Sequence, residues 1–357
     1  MAVTDLDERV RAAVGGSAPG VSLLVVGREG VRATTSVGTA DLSVDSPMGA
    51  DVAMPWFSMT KIATATAAIR LSERGALDLD APVLPLVPAM RRLRPEAFAK
   101  RITPRHLLQH SAGFANPIPV RWIHPADQPG PDPTAFLEGL LAKHAKLRFE
   151  PGSRSRYSNV GTLTLGAALA AVTGTRVEEV VTEEVLREVG MASTGFAYPA
   201  DRPAATGYHP RRSPMRFLLP RWVQGESVGR WTGFRRFLLD GAAYGGLVGN
   251  PQDAARFLRM HLREGELDGE RVISEGSAAE MRRIALRGSR FDLGLGWFVP
   301  ARQRDADPPF VEHLGAGAGF FNVLRMYPSH GVGAVVMGNA TKYDIDAVAR
   351  LALGFRS

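Results

Sequence analysis

The pattern of apolar and polar positions predicts β-strands near both ends of the chain and helices between them. The predicted strands cover residues 21–26, 31–37, 293–299, 320–326 and 332–337. Residues 344–353 are predicted to form a closing helix, and residues 76–284 show mostly helical stretches broken by proline and glycine. We therefore expect an α+β fold, in which an antiparallel sheet from both termini is flanked by helices and interrupted by a mostly helical insertion.

The length of the chain allows one large domain or two. With 357 residues it can bury a sizeable core, and no internal repeat divides it. We predict a single catalytic domain over residues 1–357. Approximately residues 1–75 and 285–357 would form the sheet region, and residues 76–284 would form the mostly helical region.

A serine and a lysine lie three residues apart where a helical run begins. Ser58 and Lys61 precede an alanine-rich run, Ile62 to Arg70, whose small and apolar residues are typical of a buried helix. A lysine one turn away, on the same helix face, can take the proton of a serine hydroxyl. In isolation the pair could equally be a helix-capping serine and a surface lysine. Lysine is scarce, however, since it occurs elsewhere only at Lys100, Lys143, Lys146 and Lys342.

Composition excludes several classes of function. The net charge of +7 does not indicate a nucleic-acid partner, because the arginines are interspersed with 36 acidic residues and no basic run occurs. The absence of cysteine excludes disulfides, iron–sulfur clusters and a cysteine nucleophile. Residues 1–9 lack the basic and apolar parts of a secretory signal, and no apolar run is long enough to span a bilayer. We therefore expect a cytoplasmic protein with neither nucleic-acid partner nor membrane span.

Two further motifs carry groups suited to serine chemistry. Tyr157-Ser158-Asn159 precedes a predicted helix, which begins at Val160 and ends near Gly174. The Tyr157 hydroxyl could relay a proton, and the Asn159 amide could fix Lys61 or a substrate. His313-Leu314-Gly315 opens a glycine-rich stretch that would let a strand approach a ligand closely. Each motif could also be structural, as a polar cap with a packed tyrosine or as a turn between strands.

Together the motifs resemble those of the serine β-lactamase and penicillin-binding-protein superfamily. The match is to its class C-like branch, which carries S-x-x-K, Y-x-N and K/H-x-G. Leu107-Leu108-Gln109-His110-Ser111-Ala112-Gly113 resembles the L-L-x-H-x-x-G segment of that family, and Gly245-Gly246-Leu247 its G-G-L segment. The resemblance follows nearly the whole chain in order. It implies the same α+β architecture, with a cleft between sheet and helical region and His313 on an edge strand.

The resemblance implies covalent catalysis through an acyl-enzyme, without metal or cofactor. Ser58 would attack a carbonyl, while Lys61 and Tyr157 would move protons; which of them is the base in each step stays open. The backbone N–H groups of Ser58 and Ala316 would form the oxyanion hole. The groups expected to orient the substrate are Asn159, His313, Gly315 and Ala316.

Departures from the family motif indicate the substrate class. β-Lactamases of this kind carry lysine and a hydroxyl residue where this chain has His313 and Leu314, and both groups suit a substrate carboxylate. Histidine is charged only part of the time near neutral pH. We therefore expect an esterase-type serine hydrolase acting on small carboxylic esters. The alternatives are an acyltransferase, an amidase or D-peptidase, a weak β-lactamase and a non-enzymatic penicillin-binding-like sensor. The oligomeric state stays open.

The sequence also contains a histidine pair and an arginine-rich segment, and it lacks one common serine-hydrolase motif. His106 and His110 have the i, i+4 spacing of zinc ligands on a helix, but Leu107 breaks the H-E-x-x-H pattern and no third ligand is evident. Residues 211–236 interleave arginines with aromatic residues. They could form a lid or pocket wall, a plain surface loop, or a membrane-surface segment. No G-x-S-x-G occurs, which excludes the nucleophile elbow of α/β-hydrolases.

Overall fold

A computed structural model describes residues 3–355. Its strands are β1 (Gly20–Gly27), β2 (Gly30–Asp41), β3 (Ser46–Pro47), β4 (Met54–Pro55), β5 (Ile123–Pro125), β6 (Tyr208–Pro210), β7 (Gln224–Val228), β8 (Trp231–Phe234), β9 (Phe237–Leu239), β10 (Val248–Gly249), β11 (Glu266–Leu267), β12 (Glu270–Arg271), β13 (Phe291–Leu293), β14 (Phe298–Pro300), β15 (Val311–Gly317), β16 (Phe320–Tyr327) and β17 (Val332–Gly338).

The helices lie mainly between the two groups of sheet strands. They are α1 (Val3–Val14), α2 (Thr60–Glu73), α3 (Glu96–Ala99), α4 (Pro104–Leu108), α5 (Pro133–Lys143), α6 (Asn159–Thr173), α7 (Val177–Val181), α8 (Met215–Leu218), α9 (Pro251–Leu262), α10 (Glu275–Arg282) and α11 (Ile345–Arg350). One π-helical turn, Thr182–Arg187, continues α7. The middle region is less uniformly helical than expected, because it also contains β5 to β12.

One eight-stranded antiparallel sheet organises the fold, in the order β13-β14-β15-β16-β17-β1-β2-β3. The N-terminal hairpin β1–β2 joins the C-terminal strands through the pairing of β1 with β17. Strand β1 is buried along its whole length, as expected for a central strand covered on both faces. This arrangement confirms the predicted α+β fold with a sheet built from both ends of the chain. The boundaries of a single catalytic domain stay a prediction.

Two strand predictions were wrong in detail. Residues 293–299 do not form one strand, because a turn containing Gly294 and Gly296 separates β13 from β14; Gly296 has φ of 95°. His313 does not lie on an edge strand, since β14 and β13 extend the sheet beyond β15. The registered pairing of β14 with β15 is limited to Phe298 and Glu312. The predictions for the hairpin, β16, β17 and the closing helix are confirmed.

Two buried helices form the interior between the sheet and the helical region. Helix α2 buries most of its residues, including Ile62 and Ile69, because its alanine and threonine side chains allow close packing on every side. Helix α6 is equally buried; the Ser158 side chain caps its first turn and Gly174, in the left-handed conformation, ends it. These two helices therefore fix the positions of the residues just before and within their first turns.

The described helices are individually too short or too polar to cross a membrane. Among residues 3–355, no single helix is long and apolar enough to cross a bilayer. Helix α6 and the following run Val177–Arg187 meet the length and composition criterion only when taken together, and they are bent by 84°. The cellular location stays a prediction.

A buried charge cluster joins β15, β16 and α11. Arg325 Nη2 lies 2.7 Å from Glu312 and 2.7 Å from Asp346, and the side chains of Arg325 and Glu312 are each 2% exposed. The guanidinium group also packs over the Phe310 ring, 4.2 Å from its centroid. Removing Glu312 would leave the buried Arg325 charge with one carboxylate partner, Asp346, in place of two, in a medium of low polarity.

We predict that Glu312→Gln lowers the free energy of unfolding by about 3 kcal/mol, measured by urea denaturation at neutral pH. The exposed pair Glu96–Lys100 provides the control, and Glu96→Gln is expected to cost less than about 1 kcal/mol. Equal losses in the two variants would show that the buried cluster does not stabilise the fold.

Candidate active site

Ser58 lies on a single helical turn that leads into α2. The turn comprises Phe57–Met59, and Phe57 has φ of 47°, a conformation that costs a non-glycine residue about 1–3 kcal/mol. Two contacts anchor this segment. The Trp56 N–H donates to the carbonyl of Leu247 at 2.7 Å, and the Asn322 amide of β16 donates to the carbonyl of Pro55 at 2.8 Å. The sheet and the 241–247 loop therefore hold the strained turn in place.

The glycines of β15 allow the strand to lie directly against this turn. A Cβ atom at Gly315 would fall 2.1 Å from the Trp56 carbonyl oxygen. A Cβ atom at Gly317 would fall 2.1 Å from the Phe57 ring. Both distances are far shorter than van der Waals contact, so these two positions require glycine. The expectation of a close backbone approach agrees with this packing, although Gly315 contacts the turn and not the cavity.

The Lys61 amine points from α2 towards Ser58. Lys61 Nζ lies 3.0 Å from Ser58 Oγ and 2.7 Å from the carbonyl oxygen of Tyr244. The Lys61 side chain is buried, and burial lowers its pKa well below the ordinary value because the charged form loses hydration. Neutral Lys61 can donate one hydrogen to the carbonyl and keep its lone pair for a proton from Ser58.

The Tyr157 ring also packs against the Lys61 amine. Lys61 Nζ lies 4.9 Å from the centroid of the Tyr157 ring. Burial raises the pKa of the Tyr157 hydroxyl, and a hydrogen bond with Ser58 opposes that shift. Tyr157 is therefore protonated at neutral pH. The structure thus brings Ser58, Lys61 and Tyr157 together, as the motifs indicated.

His110 supports the Tyr157 ring and was not predicted to be part of the site. The two ring centroids are 4.6 Å apart, and the Ser158 N–H donates to His110 Nδ1 at 3.2 Å. Burial lowers the pKa of His110 to about 3, so its ring is neutral at pH 7. The sequence feature that could have indicated this role for His110 was the resemblance of residues 107–113 to the L-L-x-H-x-x-G segment of the family. His110 also lies after α4 and not on it, so it does not share a helix with His106, which caps the start of α4.

His313 lies beside Tyr157 and is uncharged. Its ring centroid is 6.2 Å from that of Tyr157, and its Nδ1 lies 2.8 Å from the carbonyl oxygen of Leu314, to which it must donate. Burial lowers the pKa of His313 well below its usual range. The expectation that His313 is charged part of the time near neutral pH is therefore wrong, since burial keeps the ring neutral.

A cavity of about 320 Å³ opens beside Ser58. Its walls are Phe57, Ser58, Pro119, Val120, Ile123, Asn159, Leu219, Phe237, Leu239, Tyr244, Ala316, Gly317, Ala318 and Thr341. Of the predicted orienting residues, Asn159 and Ala316 line the cavity, whereas His313 and Gly315 do not. No lining residue among those described is ionisable with a charge at neutral pH. A larger cavity, of about 690 Å³, lies behind α6 and is lined by none of the predicted site residues.

Two polar atoms in this region have no protein partner. Among residues 3–355, Asn159 Oδ1 and the Tyr244 hydroxyl are buried without a hydrogen bond. Both residues line the cavity beside Ser58. A buried polar atom without a partner is costly, so each is available to a polar group of a bound molecule. Tyr244 was not predicted, because nothing in the local sequence Ala242-Ala243-Tyr244 shows that its carbonyl meets Lys61.

The arginine-rich segment contributes to the cavity through its apolar residues. Leu219 of the segment lines the cavity, as does Phe237, which directly follows the segment at the start of β9. Strand β9 pairs with β5, which carries the lining residue Ile123. Within the part of the chain whose side chains are described, no arginine of residues 211–236 lines the cavity. The pocket-wall interpretation therefore fits this segment better than a plain loop does.

Residues 6–354 match the family described as Beta-lactamase. The chain belongs to the beta-lactamase family. The predicted resemblance is thereby confirmed, and the protein is a serine hydrolase of this family.

Relatives within the beta-lactamase family have different named activities. The D-alanyl-D-alanine-carboxypeptidase/endopeptidase AmpH of Escherichia coli is 25% identical over 296 residues, which cover 78% of this chain and 69% of AmpH. Esterase EstB of Burkholderia gladioli is 29% identical over 221 residues, covering 58% of this chain and 53% of EstB. Family membership is therefore compatible with either ester or amide substrates.

A solved structure shows the same fold over nearly the whole chain. The octameric penicillin-binding protein homologue from Pyrococcus abyssi has a TM-score of 0.81 at 23% identity, covering 99% of this chain and 77% of that one. At this identity the similarity establishes the fold alone.

We predict that His110 makes the fold less stable as pH falls. Because the folded-state pKa of His110 is below that of the unfolded chain, the unfolded state binds the extra proton between about pH 6.5 and 3. His110→Asn should keep the acceptor for Ser158 and tolerate the φ of 50° at this position. The variant should therefore lose less free energy of unfolding on acidification, by up to about 1.4 kcal/mol per pH unit.

The measurement is urea denaturation at a series of pH values. His330→Asn, in the partly exposed turn Pro328–His330, controls for the substitution itself. Parallel pH dependence in the parent and His110→Asn would show that His110 titrates normally in the folded protein.

Proposed function

We propose that this protein hydrolyses small, uncharged carboxylic esters through an acyl-enzyme on Ser58. The observation that carries the proposal is the cavity beside Ser58, whose walls are apolar apart from Ser58, Asn159, Tyr244 and Thr341. Such a cavity favours a neutral acyl or alkyl group of short or medium length and offers no cation to a carboxylate. The similarity to a relative named esterase supports this substrate class.

The resting protonation states favour Lys61 as the base for acylation. Ser58 Oγ attacks the ester carbonyl carbon and its proton passes to the lone pair of Lys61, 3.0 Å away. Burial lowers the pKa of the Lys61 amine and so favours its neutral form, whereas burial raises the pKa of Tyr157 and keeps it protonated. A protonated tyrosine cannot accept the first proton, so its role in this step is that of a donor.

Tyr157 then supplies the proton that the departing alcohol needs. Its hydroxyl is near enough to Ser58 for that residue to lower the Tyr157 pKa, which puts it close to the carbon–oxygen bond that breaks. Lys61, now protonated, lies 4.9 Å from the centroid of the Tyr157 ring, and its proton returns to the Tyr157 oxygen either directly or through a water molecule. The N–H groups of Ser58 and Ala316 stabilise the negative oxygen of the tetrahedral intermediate. Water completes the cycle by attacking the acyl-enzyme, with the same groups acting in reverse order.

The motif His313-Leu314-Gly315 favours a neutral substrate. His313 is buried and neutral and uses Nδ1 on its own strand, so it supplies no fixed positive charge. Leu314 adds no hydroxyl. A hydrogen bond to a charged group contributes about 1.5–3 kcal/mol, so its absence lowers the efficiency for carboxylated substrates by roughly 10–100-fold.

Amide hydrolysis is the second candidate, and Asn159 is the observation in its favour. Asn159 lines the cavity, and its buried Oδ1 has no protein partner and could accept a hydrogen bond from a substrate N–H. An ester has no such hydrogen. One relative is named as a carboxypeptidase/endopeptidase, an activity that cleaves peptide bonds. A carboxypeptidase substrate ends in a carboxylate, however, and no cationic side chain lines the cavity of this protein to bind one.

We predict that a fluorophosphonate probe labels Ser58 and that Ser58→Ala loses ester hydrolysis by several orders of magnitude. Mass spectrometry of the labelled peptide identifies the residue. Ser72→Ala, on the distal part of α2, is a matched control and should retain labelling. Labelling at another serine would contradict the mechanism, and absence of both labelling and turnover would favour a non-enzymatic sensor.

We predict that kcat/KM is at least tenfold higher for p-nitrophenyl butyrate than for a carboxylated chromogenic cephalosporin, because the cavity gives the carboxylate no charged partner. The methyl ester of the same cephalosporin is the matched control, and its turnover should exceed that of the free acid. Butyryl p-nitroanilide tests the amide candidate. Faster turnover of the free-acid cephalosporin than of every ester would overturn the esterase proposal.

A further inference from the structure

Exposed apolar side chains cluster around the mouth of the candidate active site. Among the described residues, five large apolar side chains are exposed, and three of them are Ile118 (79%), Phe217 (75%) and Leu218 (58%). Ile118 directly precedes Pro119, and Leu218 directly precedes Leu219, and both Pro119 and Leu219 line the cavity beside Ser58. We name Ile118, Phe217 and Leu218 the apolar rim. Consecutive Cα atoms are about 3.8 Å apart, so the backbone of each apolar-rim residue lies within about 8 Å of that of a residue that lines the cavity.

The segment that carries Phe217 and Leu218 is rich in arginine. Residues 210–239 contain Arg211, Arg212, Arg216, Arg221, Arg230, Arg235 and Arg236, and Glu226 is the only carboxylate. Many arginines elsewhere form ion pairs, for example Arg70, Arg105 and Arg259. In the part of the chain whose side chains are described, no arginine of 210–239 forms one.

These unpaired charges are exposed and partly gathered together. Arg211, Arg212 and Arg230 line one surface depression, and Arg221 is exposed just beyond α8. Arg230 donates to the carbonyl of Gly16 and packs over the Trp231 ring, which leaves its positive charge without an anion. This segment therefore has a positive field that its own residues do not neutralise.

We propose that this face docks on an anionic lipid surface, with the apolar rim inserted among the acyl chains and the arginines against the phosphates. Charge complementarity selects a negatively charged partner. The apolar rim favours a bilayer over a soluble polyanion as the partner. Its side chains contribute favourable binding free energy only when they are buried in hydrocarbon, which a soluble polyanion does not provide. Docking in this orientation would turn the cavity mouth towards the lipid, so that a bilayer-dissolved ester could reach Ser58. This consequence rests on the proposed function, whereas the docking does not.

The test is co-sedimentation with vesicles of phosphatidylglycerol or of phosphatidylcholine at about 0.1 M salt. The parent protein and Ser58→Ala should both bind the phosphatidylglycerol vesicles, and binding should weaken as salt screens the charges. The triple change Arg211→Gln, Arg212→Gln and Arg221→Gln should weaken partitioning about a hundredfold, because each arginine near an anionic surface contributes roughly fivefold. The controls are Arg91→Gln and Arg92→Gln, exposed arginines outside this face.

A second variant tests the apolar contribution. Ile118→Ser, Phe217→Ser and Leu218→Ser together should reduce partitioning at least tenfold while thermal unfolding stays unchanged, since all three side chains are exposed. Val31→Ser with Val44→Ser, which are 50% and 74% exposed, are the matched controls and should bind like the parent. Equal binding to both lipids, or none, would overturn the proposal. The proposal would also be overturned if the protein bound single-stranded RNA and the apolar-rim variant bound it equally well. That result would show that the arginines bind a soluble polyanion.

Because sedimentation measures bound protein and not turnover, its outcome is independent of catalysis. If the parent protein binds vesicles but hydrolyses no ester, the docking proposal is upheld and the esterase proposal is refuted. If the parent protein hydrolyses esters but does not bind vesicles, the esterase proposal is upheld and the docking proposal is refuted.

Discussion

The amine of Lys61 is the group around which the site is arranged. It is buried at the start of an apolar helix, where a charged ammonium would lose its hydration. The environment therefore stabilises the neutral form, and each pKa unit of that preference corresponds to about 1.36 kcal/mol. The carbonyl of Tyr244 holds one amine hydrogen and Ser58 Oγ lies at hydrogen-bond distance. Loss of the burial would raise the pKa of the amine towards that of an ordinary surface lysine.

The parts of the protein that support Lys61 differ from those that shape the cavity. Helix α2, helix α6 and β15 bring the chemical groups together, and buried contacts such as Asn322 with Pro55 hold them rigidly. The apolar walls come mainly from connecting segments, including Pro119, Leu219 and Phe237. Such segments tolerate substitution better than a packed core does. This division is consistent with one family containing proteins named as peptidases and as esterases.

Local periodicity predicted the regular elements well where one signal dominated. The hairpin β1–β2, β16, β17 and α6 have uniform apolar patterns and clear turn or cap residues. The prediction failed at residues 293–299, because glycines that turn the chain lie inside an otherwise strand-like run. It also failed for His110, whose φ of 50° places it beyond the end of α4. Neither feature has a local signature strong enough to overcome the surrounding pattern.

The sequence by itself determined the family, the fold class and the identity of Ser58, Lys61 and Tyr157 as candidates, because these follow from motifs and local patterns. Only the tertiary structure decided their protonation states, the neutrality of His313 and the parts played by His110 and Tyr244. The physical reason is that a pKa depends on the water and charges excluded or admitted by residues far away in sequence. Tyr244 contacts Lys61 across 183 positions, a relation that no local pattern encodes.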